Sequence, residues 1–484
     1  MSTTKTNANE YSIEKLIYTT FGMKCLITQE YRAYLKEWAA WYSGKVKDFH
    51  EIGKRGGYVD EIAQINFAKT IAESKADLIF NEKVKINIPK NRQKEWNRIM
   101  NYNNFWTMAN RSVEIANALG TFAWVVYESG KDVVIDYIQP QMIFPLSFTN
   151  DEITECVFAS VFTKQGKEYL YLNAHILNDS GRYVITNKYF NWSSDTNMPA
   201  AEVPADFFGV APEIVSGVIP RFFIIKPNVE NNIIKNCPMG VSRYANSINL
   251  LKTLDIIYDS LHKEFILGRK RILVGAETLG FDGKDPIPKF NLRERIFNVF
   301  TVSGDDTLIK EIDMKLRTGE HEDALRMVLN LISLKTGFGV DYFSWDKNGG
   351  IKTATEVISE NSDLFRSIRK DEILLERALL DLIAAIFEIK GWAVDADDIE
   401  IEWDDSIIQD EDARLNRLLT EVNSQIRTPV SYLMEAYNMT EEEARAIVPE
   451  NEIAAFNREM ELLRNGGGEE GGEDENKTPA PSAA

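Results

Sequence analysis

The sequence predicts an α+β protein that contains more than one packed unit. The chain has 484 residues, of which 44% are hydrophobic and 27% charged, which is enough for roughly two to four cores. Apolar residues recur at helical spacing as far as Leu119, and from Gly120 onward the pattern becomes extended and rich in Val, Ile, Tyr and Trp. Helices that precede a mostly antiparallel sheet are typical of α+β proteins.

Helices dominate the first 120 residues. The pattern predicts one helix over 12–42, a second over 60–81 and a third over 93–119. The first of them contains four aromatic residues three or four positions apart, namely Tyr31, Tyr34, Trp38 and Trp41. Such a stripe indicates a helix that faces a core.

Extended segments follow, separated by clusters of Gly, Asn, Asp and Ser. The predicted strands cover residues 121–127, 132–138, 153–162, 168–173, 183–190 and 221–225. The first 240 residues are therefore predicted to form one α+β unit with a mostly antiparallel sheet.

Two helices then flank a short β-rich segment. The first helix is predicted over 242–267, the extended segment over 272–312 and the second helix over 321–336. The first helix is followed by a run of three cations: Arg269, Lys270 and Arg271. Two interpretations stay open, since such cations bind phosphates or an acidic partner, and they also complement the negative end of a helix macrodipole.

A loop with two glycines follows the second helix. Its candidate ligand-contacting residues are Lys347, Asn348, Gly349, Gly350 and Lys352. Small residues let a backbone approach a ligand, and the two lysines supply positive charge. A plain surface turn is the alternative interpretation. Thr353 and Glu356 have the spacing of a capping box, which predicts a long helix that begins sharply where the loop ends.

Beyond the long helix the sequence predicts a strand over 399–403 and a helical segment over 410–424. Two further helices follow, and the second begins with a capping box of Thr440 and Glu443. From Asn465 the chain consists mainly of Gly, Glu, Pro and Ala, and we expect it to be disordered.

Charge and cysteine content exclude several classes of protein. With 55 basic and 74 acidic residues the net charge is -19, and such a surface repels nucleic acid unless cations cluster locally. A sequence-specific DNA reader is therefore not expected. Cys25, Cys156 and Cys237 are far apart, so we expect no disulfide framework and a reducing compartment. We also expect no membrane span and no secretory signal.

The sequence contains no familiar catalytic motif. It has no P-loop, no dinucleotide-binding glycine fingerprint and no nucleophile elbow, so we expect neither a cofactor nor enzymatic activity. The four histidines are isolated, and no zinc site is expected. Acidic residues cluster between Asp395 and Asp412, where they form either a solvated face or a divalent-cation site that lacks calcium-loop spacing.

Several stretches resemble the portal proteins of tailed bacteriophages, in particular those of long-tailed phages of Gram-positive hosts. They are FAKTIAESKADLIFNE at 67–82, ALGT at 118–121, DYIQP at 136–140, IFP at 143–145, PMG at 238–240 and KTATEVISENS at 352–362. The resemblance covers nearly the whole chain. These stretches are structural signatures, so they indicate a family without naming an active site.

The resemblance implies a multi-domain portal fold that assembles as a ring, usually of twelve subunits, around a channel for double-stranded DNA. The implied divisions are a wing (1–240), a stem helix (241–268), a β-rich clip (269–319), a returning stem helix (320–336), a tunnel loop (337–352), a central helix and strand (353–404), a helical crown (405–465) and a disordered acidic tail (466–484). On this assignment Lys347 and Lys352 make weak, sequence-independent phosphate contacts, and an acidic lining keeps them from holding the DNA.

The same resemblance implies the partners. The clip docks the terminase large subunit during packaging and the head-to-tail adaptor afterwards, and the wing meets the major capsid and scaffolding proteins. The protein is expected at one capsid vertex of the virion, after assembly in the host cytoplasm. Two other classes stay open: a metal-dependent nucleic-acid-processing enzyme built on the acidic residues 404–412, and a monomeric intracellular adaptor.

Overall fold

The chain folds into two compact units. One comprises Met1–Gly350 and Glu360–Asp404, and the other comprises Ile351–Ser359 and Asp405–Ala484. The structure is a computed structural model that describes residues 7–55, 58–81, 84–193, 201–267, 271–275, 280–282, 285–287, 297–300, 309–312, 315–343, 354–393, 399–403, 415, 418–422, 424, 426–437 and 439–448. Helices and antiparallel sheets both occur, and the α+β prediction is confirmed.

Short helices and a small hairpin occupy the first 120 residues. The helices are α1 (Asn7–Phe21), α2 (Gln29–Tyr42), α3 (Lys47–His50), α4 (Phe67–Ile79), α5 (Lys90–Tyr102) and α6 (Phe105–Leu119). Strands β1 (Glu51–Arg55) and β2 (Tyr58–Glu61) pair with each other, and β3 (Lys85–Asn87) follows α4. Tyr31, Trp38 and Trp41 of α2 are buried, as the aromatic stripe predicts.

The predicted helix boundaries are wrong at three places in this region. The helix expected over 12–42 is divided at Gly22, which adopts a φ of +70°, and α2 starts anew where the Thr28 side chain accepts a hydrogen bond from the Tyr31 amide. The helix expected over 93–119 is divided at Asn104, whose φ of +47° is left-handed. The helix expected from residue 60 begins at Phe67, because β2 extends to Glu61 and Asn66, just before the helix, has a left-handed φ of +57°.

Two antiparallel sheets follow α6. A six-stranded sheet has the order β10–β9–β8–β7–β6, with β11 also pairing with β9, and a three-stranded sheet has the order β12–β4–β5. The strands are β4 (Phe122–Ser129), β5 (Asp132–Ile138), β6 (Ile143–Thr149), β7 (Glu152–Lys164), β8 (Lys167–Leu177), β9 (Tyr183–Asn191), β10 (Glu202–Val203), β11 (Glu213–Val215) and β12 (Phe222–Ile225). Helix α6 packs on the three-stranded sheet through Phe105, whose ring centroid lies 5.4 Å from that of Trp124 on β4.

Strand β6 was not predicted, and its proline explains why. Pro145 has no amide hydrogen to donate, which argues against a strand in the middle of a sheet. β6 lies at the end of its sheet, where the missing donor costs no ladder hydrogen bond. The Pro145 carbonyl instead accepts a hydrogen bond from the Leu26 amide at 2.9 Å.

Two of the family-like stretches meet at a contact between two glycines. A Cβ on Gly120 would lie 2.5 Å from the carbonyl oxygen of Gly240, and a Cβ on Gly240 would lie 2.1 Å from that of Gly120. The Gly240 amide donates to the Thr121 hydroxyl at 2.9 Å, and its carbonyl accepts from the Tyr31 hydroxyl at 2.9 Å. The backbones therefore touch at a distance that only glycine permits.

Beyond this contact the chain forms an antiparallel pair of helices, α7 (Ile248–Leu267) and α8 (Thr318–Thr336). The strands described between them are β13 (Arg271–Gly275), β14 (Gly280–Asp282), β15 (Asp285–Ile287), β16 (Phe297–Phe300) and β17 (Ile309–Ile312). β13 pairs in parallel with β16 and antiparallel with β17, and β14 pairs with β15. The predicted pattern of helix, extended segment and helix agrees with these elements.

The long helix α9 (Ala354–Lys390) follows, and strand β18 (Glu400–Glu402) pairs antiparallel with β3. The predicted cap residue Thr353 lies outside the described residues. In the second unit, helices Pro429–Tyr437 and Glu441–Ile447 are described, and the capping box of Thr440 and Glu443 is confirmed. Among the described helices, none combines the length and apolar character that a bilayer crossing requires.

Candidate functional site

The residues predicted to contact DNA or a partner fall almost entirely outside the described part of the chain. These are Lys347, Asn348, Gly349, Gly350 and Lys352 of the loop, and Arg269 and Lys270 of the basic run. Arg271 is described by its backbone alone, which opens β13 and pairs with Ile312 of β17. The described segment that leads into the predicted loop is 337–343, and its contacts define the base of that loop.

Segment 337–343 leaves α8 through a glycine that the fold requires. Gly337 has a φ of +78°, the left-handed conformation that commonly ends a helix. A Cβ there would lie 2.5 Å from the hydroxyl oxygen of Ser367 on α9. Farther along, the ring centroid of Phe343 lies 4.8 Å from that of Phe67, the first residue of α4, and 4.8 Å from that of Phe338. The segment is therefore attached to both α4 and α9.

A fully buried lysine, Lys75, binds segment 337–343. The Lys75 ammonium on α4 donates to the Gly337 carbonyl at 3.2 Å and to the Ser367 hydroxyl at 2.8 Å. It also lies 5.1 Å from the centroid of the Phe338 ring, within the range of a cation–π interaction. One side chain thus joins α4, the end of α8 and α9.

Asp371 on α9 is the counter-ion of this lysine and of a second cation. Its carboxylate forms an ion pair with Arg243, accepts a hydrogen bond from the Asn228 amide at 2.9 Å and lies 4.0 Å from the Lys75 ammonium. The Arg243 guanidinium also donates to the Asn117 side chain of α6 at 3.0 Å. We refer to Lys75, Arg243, Ser367 and Asp371 as the Lys75 cluster.

The electrostatics of the Lys75 cluster are unbalanced, because one carboxylate faces two cations. The pKa of Lys75 is lowered from 10.5 to about 7, mainly by burial and also by the positive charge of Arg243, while Asp371 opposes both effects. Uncharged and protonated lysine are therefore close in free energy near neutral pH.

Two aspartates attach α7 to the helical unit before the sheets. Asp255 accepts hydrogen bonds from the Ile65 amide at 3.0 Å and pairs with the His50 ring at 2.9 Å. One turn later, Asp259 accepts a hydrogen bond from the Ala63 amide at 3.0 Å. Segment 63–65 is thus anchored along one face of α7.

The far end of the helix pair has its own ion cluster. Glu264 near the end of α7 accepts hydrogen bonds from the Arg317 amide at 2.9 Å and guanidinium at 3.1 Å, and it pairs with the His321 ring at 2.5 Å. These donors lower the pKa of Glu264 to about 2. We refer to Glu264, Arg317 and His321 as the Glu264 cluster. It joins the two helices next to the strands β13 to β17.

These contacts hold elements together, and they do not assemble reactive groups. Within the described ranges, no three His, Cys, Asp or Glu side chains converge as a metal site requires. The acidic residues 404–412, proposed above as a possible cation site, lie outside the described residues. The described contacts thus position helices α7 and α8 and segment 337–343.

Sequence reasoning missed the Lys75 cluster, although a signal was present. Lys75 lies on the packing face of α4, between Ile71, Ala72, Ala76 and Ile79, all of which are buried. A single lysine inside an otherwise apolar stripe is rare in a core unless a partner is nearby. Arg243 and Asp371 are the partners, and they lie far from Lys75 in sequence, so spacing could not identify them.

Comparison with known proteins identifies the family of this chain. A model of the family described as "Phage portal protein, SPP1 Gp6-like" matches residues 27–456. No curated protein matches the chain. Among solved structures, the neck of a native gene transfer agent particle computed with C12 symmetry contains a chain that is 9% identical, with a TM-score of 0.38; the match covers 87% of this chain and 98% of that one.

A chain in the virion of a native gene transfer agent particle is 10% identical, with a TM-score of 0.34, and the match covers 82% of this chain and 94% of that one. The family match is the decisive finding, because it spans most of the sequence and includes α4, both sheets, the helix pair and α9. The chain belongs to the SPP1 Gp6-like family of phage portal proteins.

Proposed function

We propose that this portal protein is a structural, non-enzymatic ring of twelve copies at one vertex of a phage capsid, and that double-stranded DNA passes through its centre. Family membership supports the portal role. The observation that supports a ring is the helix pair, where Ile256, Phe265, Met327, Leu331 and Leu334 are large, apolar and exposed in the single chain. Apolar surface concentrated on one element is typical of an association surface.

The parts of the chain take their roles from this arrangement. Residues 1–240 form the wing, 241–268 and 320–336 the stem, 269–319 the clip, 337–352 the tunnel loop, 353–404 the central helix and strand, and 405–465 the crown. The Lys75 cluster supports this assignment, since it fixes the base of the loop to the wing and to α9. A loop with a rigid base can keep a set distance from a channel axis.

DNA contact is assigned to Lys347, Asn348, Gly349, Gly350 and Lys352, and the basic run Arg269, Lys270 and Arg271 contacts DNA or a docked partner. A net charge of -19 favours passage over retention, because few phosphates are neutralised and little affinity comes from released counterions. The terminase large subunit and the head-to-tail adaptor dock on the clip in turn, and capsid and scaffolding proteins contact the wing. Assembly takes place in the host cytoplasm.

Electron microscopy of the purified full-length chain tests the ring. We expect particles with a central hole and a mass many times that of one 55.2 kDa chain. A compact particle of one chain would instead support the monomeric adaptor. Cleavage of plasmid DNA that depends on added magnesium would support the metal-dependent enzyme.

The loop assignment has a separate test in assembled particles. Replacing Lys347 and Lys352 together by alanine should change the length of packaged DNA or its retention, because the only lysines of the loop are lost. Lys167→Ala, at the exposed turn between β7 and β8, is the matched control. Normal packaging and retention in the double variant would remove the phosphate contacts from the proposal.

A further inference from the structure

Two helices of the first unit each present one exposed stripe to solvent. The stripe of α8 consists of Glu320, Asp323, Met327, Leu331 and Leu334. The stripe of α9 consists of Arg366, Lys370, Ile373, Arg377 and Leu380. The apolar members are far from buried, with 62% of Met327 and 65% of Ile373 exposed.

The two stripes match in length and shape. In each, successive residues are three or four positions apart, so they lie within roughly 80° of one another around a helix of 3.6 residues per turn. Each stripe covers about four turns, or roughly 21 Å of helix. Two such stripes can pack along each other over their whole length.

Their chemistry is more complementary in one direction than in the other. The α8 stripe begins with two carboxylates and ends with three apolar side chains, whereas the α9 stripe begins with two cations and continues with Ile373, Arg377 and Leu380. When the helices run parallel, two acidic residues meet two basic ones and two apolar pairs form, with Leu331 facing the Arg377 side chain. When they run antiparallel, one acidic and one apolar pair remain, and the three other positions set a charged side chain against a leucine.

The ion pairs already present on the α9 stripe are too exposed to prevent the α8 stripe from packing on it. Arg366 lies 3.6 Å from Asp363, and Arg377 lies 2.7 Å from Glu152, with more than half of every one of these side chains exposed. Exposed pairs of this kind contribute little to stability, because water solvates both partners. Their arginines can therefore turn toward a neighbouring chain at small cost.

We propose that the α8 stripe of one copy packs in parallel on the α9 stripe of the next copy. This inference rests on the ring proposed above and identifies the two surfaces that close it. Because the two surfaces differ, the contact is heterologous, and repetition of one rotation gives a closed ring. A symmetric dimer cannot form through either stripe alone.

Two variants with one broken stripe each test the contact. Met327→Asp/Leu331→Asp destroys the apolar part of the α8 stripe, and Ile373→Asp destroys that of the α9 stripe. Val218→Asp, at a residue 69% exposed elsewhere in the first unit, is the matched control. Native mass spectrometry gives the oligomeric state, and circular dichroism melting verifies that each chain is folded.

We expect rings from the wild type and the control, monomers from each variant alone, and a one-to-one heterodimer when the two variants are mixed, since the mixture contains one intact pair of stripes. Rings from either variant would overturn the pairing and leave the ring proposal standing. A symmetric dimer of either variant would also overturn it. A wild-type chain that stays monomeric would overturn the ring, and this pairing with it.

Charge reversal tests the direction. Lys370→Glu should raise the protein concentration needed for rings by at least about tenfold, because like charges then meet, and adding Asp323→Lys should restore assembly. No recovery in the double variant would overturn the parallel arrangement. If Arg366→Glu/Lys370→Glu leaves the rings intact and weakens binding of a fluorescent DNA duplex, the α9 stripe faces nucleic acid, and the pairing is wrong.

Discussion

The two ends of the pair of helices α7 and α8 are held by ion clusters that differ in burial. In the Lys75 cluster the side chains of Lys75, Arg243 and Asp371 are 0%, 6% and 4% exposed. In the Glu264 cluster Arg317 is 70% exposed, whereas the side chains of Glu264 and His321 are 14% and 15% exposed. Water therefore competes for the Arg317 side of the Glu264 cluster and hardly reaches the Lys75 cluster.

This difference in exposure determines what each cluster does. A buried pair contributes little net stability when it forms, because desolvation offsets the attraction, but removing one partner leaves an uncompensated charge in the core. An exposed pair contributes little stability when it forms, costs little when one partner is removed, and is screened by salt. We infer that segment 337–343 is fixed, whereas the end of the helix pair next to the β strands can open at smaller cost.

The largest expected effect is the loss of the buried carboxylate. Asp371→Ala removes the counter-ion of Arg243 and Lys75 and should lower the free energy of unfolding by about 3–5 kcal/mol, measured by denaturant titration of the full-length chain. Asp363→Ala, on the same helix but 66% exposed, should change it by less than about 0.5 kcal/mol. Equal effects of the two substitutions would contradict the contrast between buried and exposed clusters.

A smaller effect is expected at Lys75, and it depends on pH. The pKa of this lysine is lowered from 10.5 to about 7 in the folded chain, so between these values the unfolded chain binds more protons and stability rises with pH. Lys75→Met should abolish this rise, which is measured as the free energy of unfolding from pH 7 to pH 9.5.

The control is Lys69→Met on the same helix. The Lys69 side chain is exposed and its pKa is raised, so this variant should still become more stable as the pH rises from 7 to 9.5. If Lys75→Met shows the wild-type slope, Lys75 is not held in the environment described.

The smallest effect is expected in the Glu264 cluster. Glu264→Gln should lower the free energy of unfolding less than Asp371→Ala does at neutral pH, and less again at high salt. Because the pKa of Glu264 is lowered to about 2, its contribution is complete above the ordinary value of 4.5 and is lost as pH falls toward 2.

Unfolding curves of the variant and the wild type should therefore converge in acid. Glu322→Gln, in an exposed pair with Arg326, is the control for a general effect of lost surface charge. A loss of stability at Glu264 as large as that at Asp371 would remove the distinction between the two ends of the helix pair.

The sequence predicted correctly those helices and strands that depend on local residue patterns and not on tertiary contacts. The helix pair, the extended segment between them and the strong β-formers of the sheets all follow from local periodicity. The failures at Gly22 and Asn104 occurred where one residue adopts a positive φ inside an apolar pattern that continues across it. At Pro145 a strand was missed where one exists, because this strand lies at a sheet edge, and only the tertiary fold defines which strand is at the edge.

The site was harder to predict than the fold, for a physical reason. Lys75, Arg243 and Asp371 acquire their roles only when α4, the segment after β12 and α9 come together. Each is an ordinary charged residue in its local sequence. The assignments of Lys347, Lys352 and the run Arg269 to Arg271 remain predictions, since these side chains lie outside the described residues.

The contact between Gly120 and Gly240 has a consequence for how the family can vary. Since the backbone carbonyl of each residue occupies the space that a Cβ on the other would fill, neither position can gain a side chain unless the two backbones move apart. Both positions should therefore remain glycine in relatives that keep this junction. In distant relatives, two glycines about this far apart would mark where the sheet-bearing part of the chain ends and the helix pair follows.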